Sequence, residues 1–189
     1  VNLLATYQLP FGKGRQFAND RGILSSIIGG WQISGIGTYR SGVPIGTIMT
    51  SSCVVPNAGS CFANYNPNFT GPVRINGGWG DGNLIGSNTT TFLDKNAFAT
   101  PAPYTYGNTP RTAAFGIQNP STYNIDVNLR RDFAIYENLK LTFQADAFNV
   151  LNLVTFSAPS TNISSSSFGK ITSQSNGPRI LQLSARITF

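Results

Sequence analysis

Apolar and polar positions alternate along the last eleven residues, Arg179–Phe189. Leu181, Leu183, Ala185, Ile187 and Phe189 share one parity, and Gln182, Ser184, Arg186 and Thr188 share the other. Successive side chains of a strand point to opposite faces, so this pattern predicts a strand over 179–189 with one apolar and one polar face. Four further segments read the same way. Over 1–9, Val1, Leu3, Ala5, Tyr7 and Leu9 oppose Asn2, Thr6 and Gln8, with Leu4 out of step. Over 31–41, Trp31, Ile33, Gly35, Gly37 and Tyr39 oppose Gln32, Ser34, Thr38 and Arg40, with Ile36 out of step. Over 122–133, Tyr123, Ile125, Val127, Leu129, Arg131 and Phe133 oppose Asn124, Asp126, Asn128, Arg130 and Asp132. Over 139–149, Leu139, Leu141, Phe143, Ala145 and Ala147 oppose Lys140, Thr142, Gln144 and Asp146. The short stretch Ala134–Asn138 between the last two predicts a β-hairpin.

The connections differ in character. Residues 20–30 change period: Ile23, Leu24, Ile27 and Ile28 recur at helical spacing between Asp20 and the Gly29-Gly30 stop. One or two turns of amphipathic helix are expected there, with a bent strand as the alternative. Residues 42–121 and 150–177 hold no sustained alternation and are dense in Pro, Gly, Asn, Ser and Thr, which predicts long loops.

About ten alternating residues is the length of a tilted strand crossing a bilayer within a closed sheet. Transmembrane barrels place short turns on the periplasmic side and long loops outside. If Phe189 ends at the periplasm, parity puts the connections 10–30 and 134–138 there, and 42–121 and 150–177 outside. The predicted fold class is therefore all-β: an antiparallel up-and-down transmembrane β-barrel segment of about five long strands with long extracellular loops, an open curved sheet if alone. Ile125, Val127, Leu129, Leu141, Phe143, Leu181, Leu183, Ala185, Ile187 and Phe189 are then expected to face lipid. Asp126, Arg130, Asp132, Lys140, Asp146 and Arg186 are expected to face a wet lumen, where they could form ladders of opposite charge between neighbouring strands.

Composition sharpens this picture. Charged residues make up 11% of the 189, well under the usual quarter, and aromatic residues 12%. No apolar run is long enough for a membrane-spanning helix. The net charge is +6, but the thirteen cations are scattered rather than gathered on one face, which argues against nucleic acid. The absence of histidine removes Ser-His-Asp and Cys-His chemistry and histidine-bound metals. Cys53 and Cys61, close together among turn residues, fit a small disulfide in an oxidising compartment, with two unpaired thiols as the alternative. Val1-Asn2 opens directly on a strand pattern with no leader visible, as expected of a mature chain or a fragment.

Candidate chemistry is sparse. Asp126 with Asp132 or Asp146 is the one carboxylate set that could serve a glycosidase, but its parity suits a lumen wall better than a cleft. Gly78-Trp-Gly-Asp-Gly-Asn83 resembles part of a calcium loop without the further acidic ligands such a site needs. Asn68, Asn88 and Asn162 match the glycosylation pattern, as chance allows in so Asn- and Thr-rich a chain. No catalytic, cofactor-binding or metal-ligating residue is expected. The aromatic residues of the first long loop either form local clusters or face a ligand; Phe62, Tyr65, Trp79, Tyr104 and Tyr106 are the candidate ligand set.

Short motifs run in a fixed order over nearly the whole chain: Leu9-Pro-Phe-Gly-Lys-Gly-Arg15, Gly29-Gly-Trp-Gln-Ile-Ser-Gly35, Ser41-Gly-Val-Pro44, Asn96-Ala-Phe98, Tyr106-Gly-Asn108, Phe143-Gln-Ala-Asp-Ala-Phe-Asn-Val-Leu-Asn152, Phe168-Gly-Lys-Ile-Thr172 and the terminal Phe189. In these the chain resembles the C-terminal end of TonB-dependent outer-membrane receptors, in particular those with a carboxypeptidase-regulatory-like domain. The resemblance implies a bacterial outer-membrane location and uptake of a nutrient or complex ligand. It implies as partners the outer-membrane lipid, the remaining barrel strands and plug, the TonB complex acting through that plug, and the barrel-assembly machinery. Gln182, Ile187 and Phe189 match the terminal-strand signal read by that machinery, whereas Ser184 stands where glycine is common. Such receptors close about twenty-two strands, so residues 1–189 are expected to be one part of a larger barrel. A soluble secreted β-sandwich or adhesin-like module is the alternative.

Overall fold

A computed structural model describes residues 1–12, 14–17, 27–56, 59–75, 91–111, 116–136 and 138–189. Among these, nine strands follow in chain order: β1 (Asn2–Gln8), β2 (Trp31–Arg40), β3 (Met49–Thr50), β4 (Cys61–Phe62), β5 (Asn64–Tyr65), β6 (Phe98–Ala99), β7 (Thr122–Tyr136), β8 (Leu139–Phe148) and β9 (Ile180–Thr188). A 3-10 turn, Lys95–Ala97, precedes β6. The chain divides into two compact units, one of residues 1–40, 123–153 and 178–189, the other of 41–122 and 154–177.

The first unit is one five-stranded sheet in the order β1-β2-β7-β8-β9. The five alternating segments supply it, and each long strand lies beside the long strands that precede and follow it, the up-and-down arrangement. Pairing is antiparallel from β1 to β2, β7 to β8 and β8 to β9. Strands of nine or ten residues such as β2, β8 and β9 have bilayer-crossing length. The sheet does not close; β1 and β9 are its edges, and all their residues are exposed.

One detail differs from expectation. Strand β7 continues to Tyr136 instead of yielding to a turn at Ala134, because Ile135 is an extra residue between the pairs Ala134–Lys140 and Tyr136–Leu139. Such a bulge shifts parity by one, which is why alternation fails there although pairing continues. Of the helix expected over 20–30, Ile27 and Ile28 are helical, and residues 20–26 lie outside the described residues.

β8 ends in a turn built by asparagines. Asn149 and Asn152 adopt left-handed backbone (φ +49° and +52°), which asparagine tolerates better than most residues. The Asn149 amide donates to Asp126 Oδ1 (2.9 Å), while its side chain receives the Leu153 amide (2.8 Å) and donates to the Leu153 carbonyl (3.1 Å).

The second unit corrects the expectation of plain loops. It has its own hydrophobic core, in which Ile45, Ile48, Phe92, Leu93 and Ile117 from the first segment meet Ile163, Phe168 and Ile171 from the second. The Phe98 and Phe168 rings meet edge-on at 5.7 Å. Two-residue ladders β3–β4 and β5–β6 fold the first segment on itself, and a bridge from Met49 to Asn162 ties it to the second. The hydroxyls of Thr50 and Ser164 add a link of 2.8 Å. Gly107 packs directly on the β4 end: a Cβ there would lie 1.9 Å from the Phe62 carbonyl oxygen.

Candidate functional site

Strand register decides which residues share a face, since directly opposed residues in an antiparallel pair project the same way. Val127, Leu129, Arg131 and Phe133 stand opposite Ala147, Ala145, Phe143 and Leu141, which stand opposite Leu181, Leu183, Ala185 and Ile187. Ile125 has the parity of Val127, and Phe189 that of Ile187. The residues expected to face lipid thus fall on one face of the sheet. Leu3, Ala5 and Tyr7 stand opposite Gly37, Gly35 and Ile33 in the same manner.

The residues expected to face the lumen gather on the other face: Asn128–Asp146–Gln182, Arg130–Gln144–Ser184, Asp132–Thr142–Arg186 and Ala134–Lys140–Thr188 form cross-strand rows. These rows correct the expected charge ladders. Among the described residues the ion pair on this face runs along one strand, Arg130 Nη2 to Asp132 Oδ1 at 3.2 Å. Across strands, neutral donors satisfy the carboxylates instead. Asp146 accepts from Asn128 Nδ2 (2.6 Å) and, along its own strand, from Gln144 Nε2 (2.8 Å), and Asp132 accepts from the Thr142 hydroxyl (2.7 Å). The reason is register, which sets Lys140 opposite Ala134 and Thr188, and Arg186 opposite Thr142. The Asp126 carboxylate is engaged by the Asn149 amide.

One cation sits on the apolar face, and its sequence position gave no sign of the site it builds. Arg131 is opposite Phe143 and 7% exposed. Its guanidinium lies 4.1 Å from the Phe133 ring centroid and 5.7 Å from that of Trp31, and it donates to the Ile27 carbonyl. Trp31 meets Phe143 edge-on at 6.0 Å and donates its indole N–H to the same Ile27 carbonyl at 3.1 Å. Cation–π contact and carbonyl acceptance let a permanent charge lie on an apolar surface.

In the second unit Cys53 and Cys61 form a disulfide with Cα atoms 5.7 Å apart. The candidate ligand aromatics separate. Tyr65 packs on the core, while Phe62 is half-buried beneath the Arg111 guanidinium at 5.7 Å. Tyr104 and Tyr106 are three-quarters exposed. Their segment is held firmly: the Tyr104 amide, in left-handed backbone, donates to the Val54 carbonyl beside the disulfide, and Asn108 exchanges side-chain–backbone bonds with Asn64 and Tyr65. Trp79, the Gly78–Asn83 stretch and Asn88 lie outside the described residues. Among the described residues no group of three or more acidic or cysteine side chains could hold a metal ion, and no helix is long and apolar enough to cross a membrane.

Comparison with known proteins agrees with this architecture. The family model described as Outer membrane beta barrel domain matches residues 1–182. No curated protein and no solved structure gives a match. The match spans the first four long strands and the first three residues of β9, as well as both segments of the second unit. An outer-membrane barrel segment sits in the bacterial outer membrane, which sets aside the soluble β-sandwich alternative. With its all-β antiparallel sheet, its two-faced strands and a match over almost its whole length, the chain belongs to the outer membrane beta barrel domain family.

Proposed function

We propose that residues 1–189 are part of a receptor that takes up a nutrient or complex ligand across the outer membrane, energised by TonB through a plug carried elsewhere in the barrel. The observation that carries this reading is the second unit. Its two segments are the long connections β2–β7 and β8–β9, and they fold around one hydrophobic core, with a disulfide within the first segment. A pore whose outer loops serve only to link strands needs no such core. A receptor that holds a ligand before transport needs a preorganised surface. Tyr104 and Tyr106, exposed on a firmly anchored segment, are the residues we assign to ligand contact. The motif resemblance to TonB-dependent receptors supports the energised mechanism, and with it the barrel-assembly machinery as reader of the terminal strand. In this reading the apolar face meets lipid, the polar face lines the lumen, and the role is binding and transport with no chemical step.

The test is genetic. A strain lacking the protein and a strain lacking the inner-membrane TonB complex are grown on a panel of sole nutrient sources. The expected result is a nutrient on which both fail and on which the wild-type gene, but not Tyr104→Ala/Tyr106→Ala, restores the first. Unimpaired growth of the strain lacking the protein on every source would overturn the uptake reading.

A further inference from the structure

The described parts of the β1–β2 connection, residues 9–12, 14–17 and 27–30, are more organised than a solvated turn requires. Gly12 (φ +106°) approaches Gly29 so closely that a Cβ on Gly12 would lie 2.5 Å from the Gly29 Cα. The Gly12 amide donates to the Phe17 carbonyl (2.9 Å), the Phe17 amide to the Pro10 carbonyl (3.0 Å), and the Phe11 and Phe17 ring centroids are 5.9 Å apart. At the far end the Ile27 carbonyl receives both the Trp31 indole and the Arg131 guanidinium. Among the described residues of this connection, beside the exposed Arg15 and Gln16, three large apolar side chains are also exposed: Phe17 53%, Ile27 59% and Ile28 37%.

Where the connection is tied matters. Trp31 and Arg131 share the parity of the apolar face, not of the polar one, and Phe133 and Phe143, which they touch, share it too. The exposed isoleucines therefore continue the surface that meets lipid. Indole rings and long cationic side chains favour the boundary between headgroups and acyl chains, where an apolar body and a polar tip are both accommodated. Isoleucines held beside them lie at the depth where apolar side chains are withdrawn from water.

We propose that the β1–β2 connection is an interfacial seat, in which Phe17, Ile27 and Ile28 enter the lipid leaflet on the short-turn side. Arg131, stacked on Phe133 and Trp31, is the positioning residue that fastens the seat to the barrel wall through the Ile27 carbonyl. The occupant is phospholipid. The inference rests on the apolar face being the lipid face, and its test separates the two.

Single cysteines at Phe17→Cys, Ile28→Cys and Leu183→Cys, with the Cys53–Cys61 disulfide intact, are labelled with an environment-sensitive fluorophore. The protein is then reconstituted in phosphatidylcholine vesicles carrying a nitroxide either just below the headgroup or deep in the acyl chain. Positions 17 and 28 are expected to be quenched at least twofold more by the shallow nitroxide, and position 183 more by the deep one. Arg131→Ala in the Ile28→Cys protein is expected to halve the shallow quenching at 28. Quenching at 183 with none at 17 and 28 overturns the seat and leaves the lipid face standing. Absence of quenching at 183 overturns the lipid face and the seat with it. Should Arg131→Ala fail to insert, the depth comparison at 17 and 28 alone decides.

Discussion

Leu4 and Ile36, the two residues that break the alternation of their strands, are direct cross-strand partners in the β1–β2 pair. Each looks like a fault when its strand is read alone; paired, they form an apolar island on the polar face. Opposed apolar side chains in an antiparallel pair stabilise by about 0.2–1 kcal/mol relative to alanine. A double-mutant cycle with Leu4→Thr and Ile36→Thr, followed by denaturant unfolding in detergent micelles, is expected to give a coupling in that range. Strict additivity would show that the two do not support one another.

The two faces of the sheet differ in what they tolerate. Leu183, opposite Ala145 and in the same row as Leu129, lies midway along the apolar face. Leu183→Arg is expected to cost about 2–4 kcal/mol of folding free energy in a bilayer, as charges on lipid-facing midplane positions do. Ser184→Arg, one residue along on the polar face, is expected to stay within about 0.5 kcal/mol. Equilibrium unfolding from vesicles measures both, and the opposite ranking would exchange the faces.

Opening the disulfide should act on the second unit and spare the sheet. Cys53 and Cys61 are eight residues apart, and closing a loop of that size stabilises by about 2–3 kcal/mol on the chain-entropy account. In Cys53→Ser/Cys61→Ser the second unit is expected to become sensitive to added protease at lower temperature, while the β-sheet circular dichroism persists. Simultaneous loss of both would mean that the sheet depends on the disulfide.

Gly107 offers a finer probe of the same unit. An added Cβ would meet the carbonyl oxygens of Phe62 and Ala63 at 1.9 and 2.3 Å, backbone atoms that cannot swing aside. Gly107→Ala is expected to cost about 1–3 kcal/mol, the usual penalty of overpacking. Gly46→Ala, with open space at its Cβ, is the matched control. Thermal melts of the two variants, followed by proteolysis of the second unit, should separate them; equal melts would place Gly107 in looser packing.

The five long strands were legible because a two-residue period survives over seven or more positions in each, and a face can be read from parity alone. β7 was underestimated at its end because the extra residue Ile135 inverts parity without ending the pairing. The core of the second unit was not legible. Its strands are two residues long, too short for any period, and Ile45 and Ile48 find Ile163 and Ile171 only across more than a hundred residues. On the polar face, parity identified the members but not their partners. Whether Arg186 stands opposite Asp146 or Thr142 depends on register, which no single strand contains. Arg131 was visible as an arginine on an apolar parity, but its role depends on a carbonyl in a different connection, 104 residues earlier.

The second unit is assembled from chain on both sides of the β7–β8 hairpin, and this imposes an order of events. The Cys53–Cys61 bond lies within the earlier segment and can close while the later one is still being delivered. Ile163, Phe168 and Ile171 cannot join Ile45, Ile48 and Phe92 until residues 123–153 have run the length of the sheet and back as a hairpin. Completion of the second unit is therefore a report that this hairpin is in place: a core that closes only afterwards cannot assemble beside a half-built sheet.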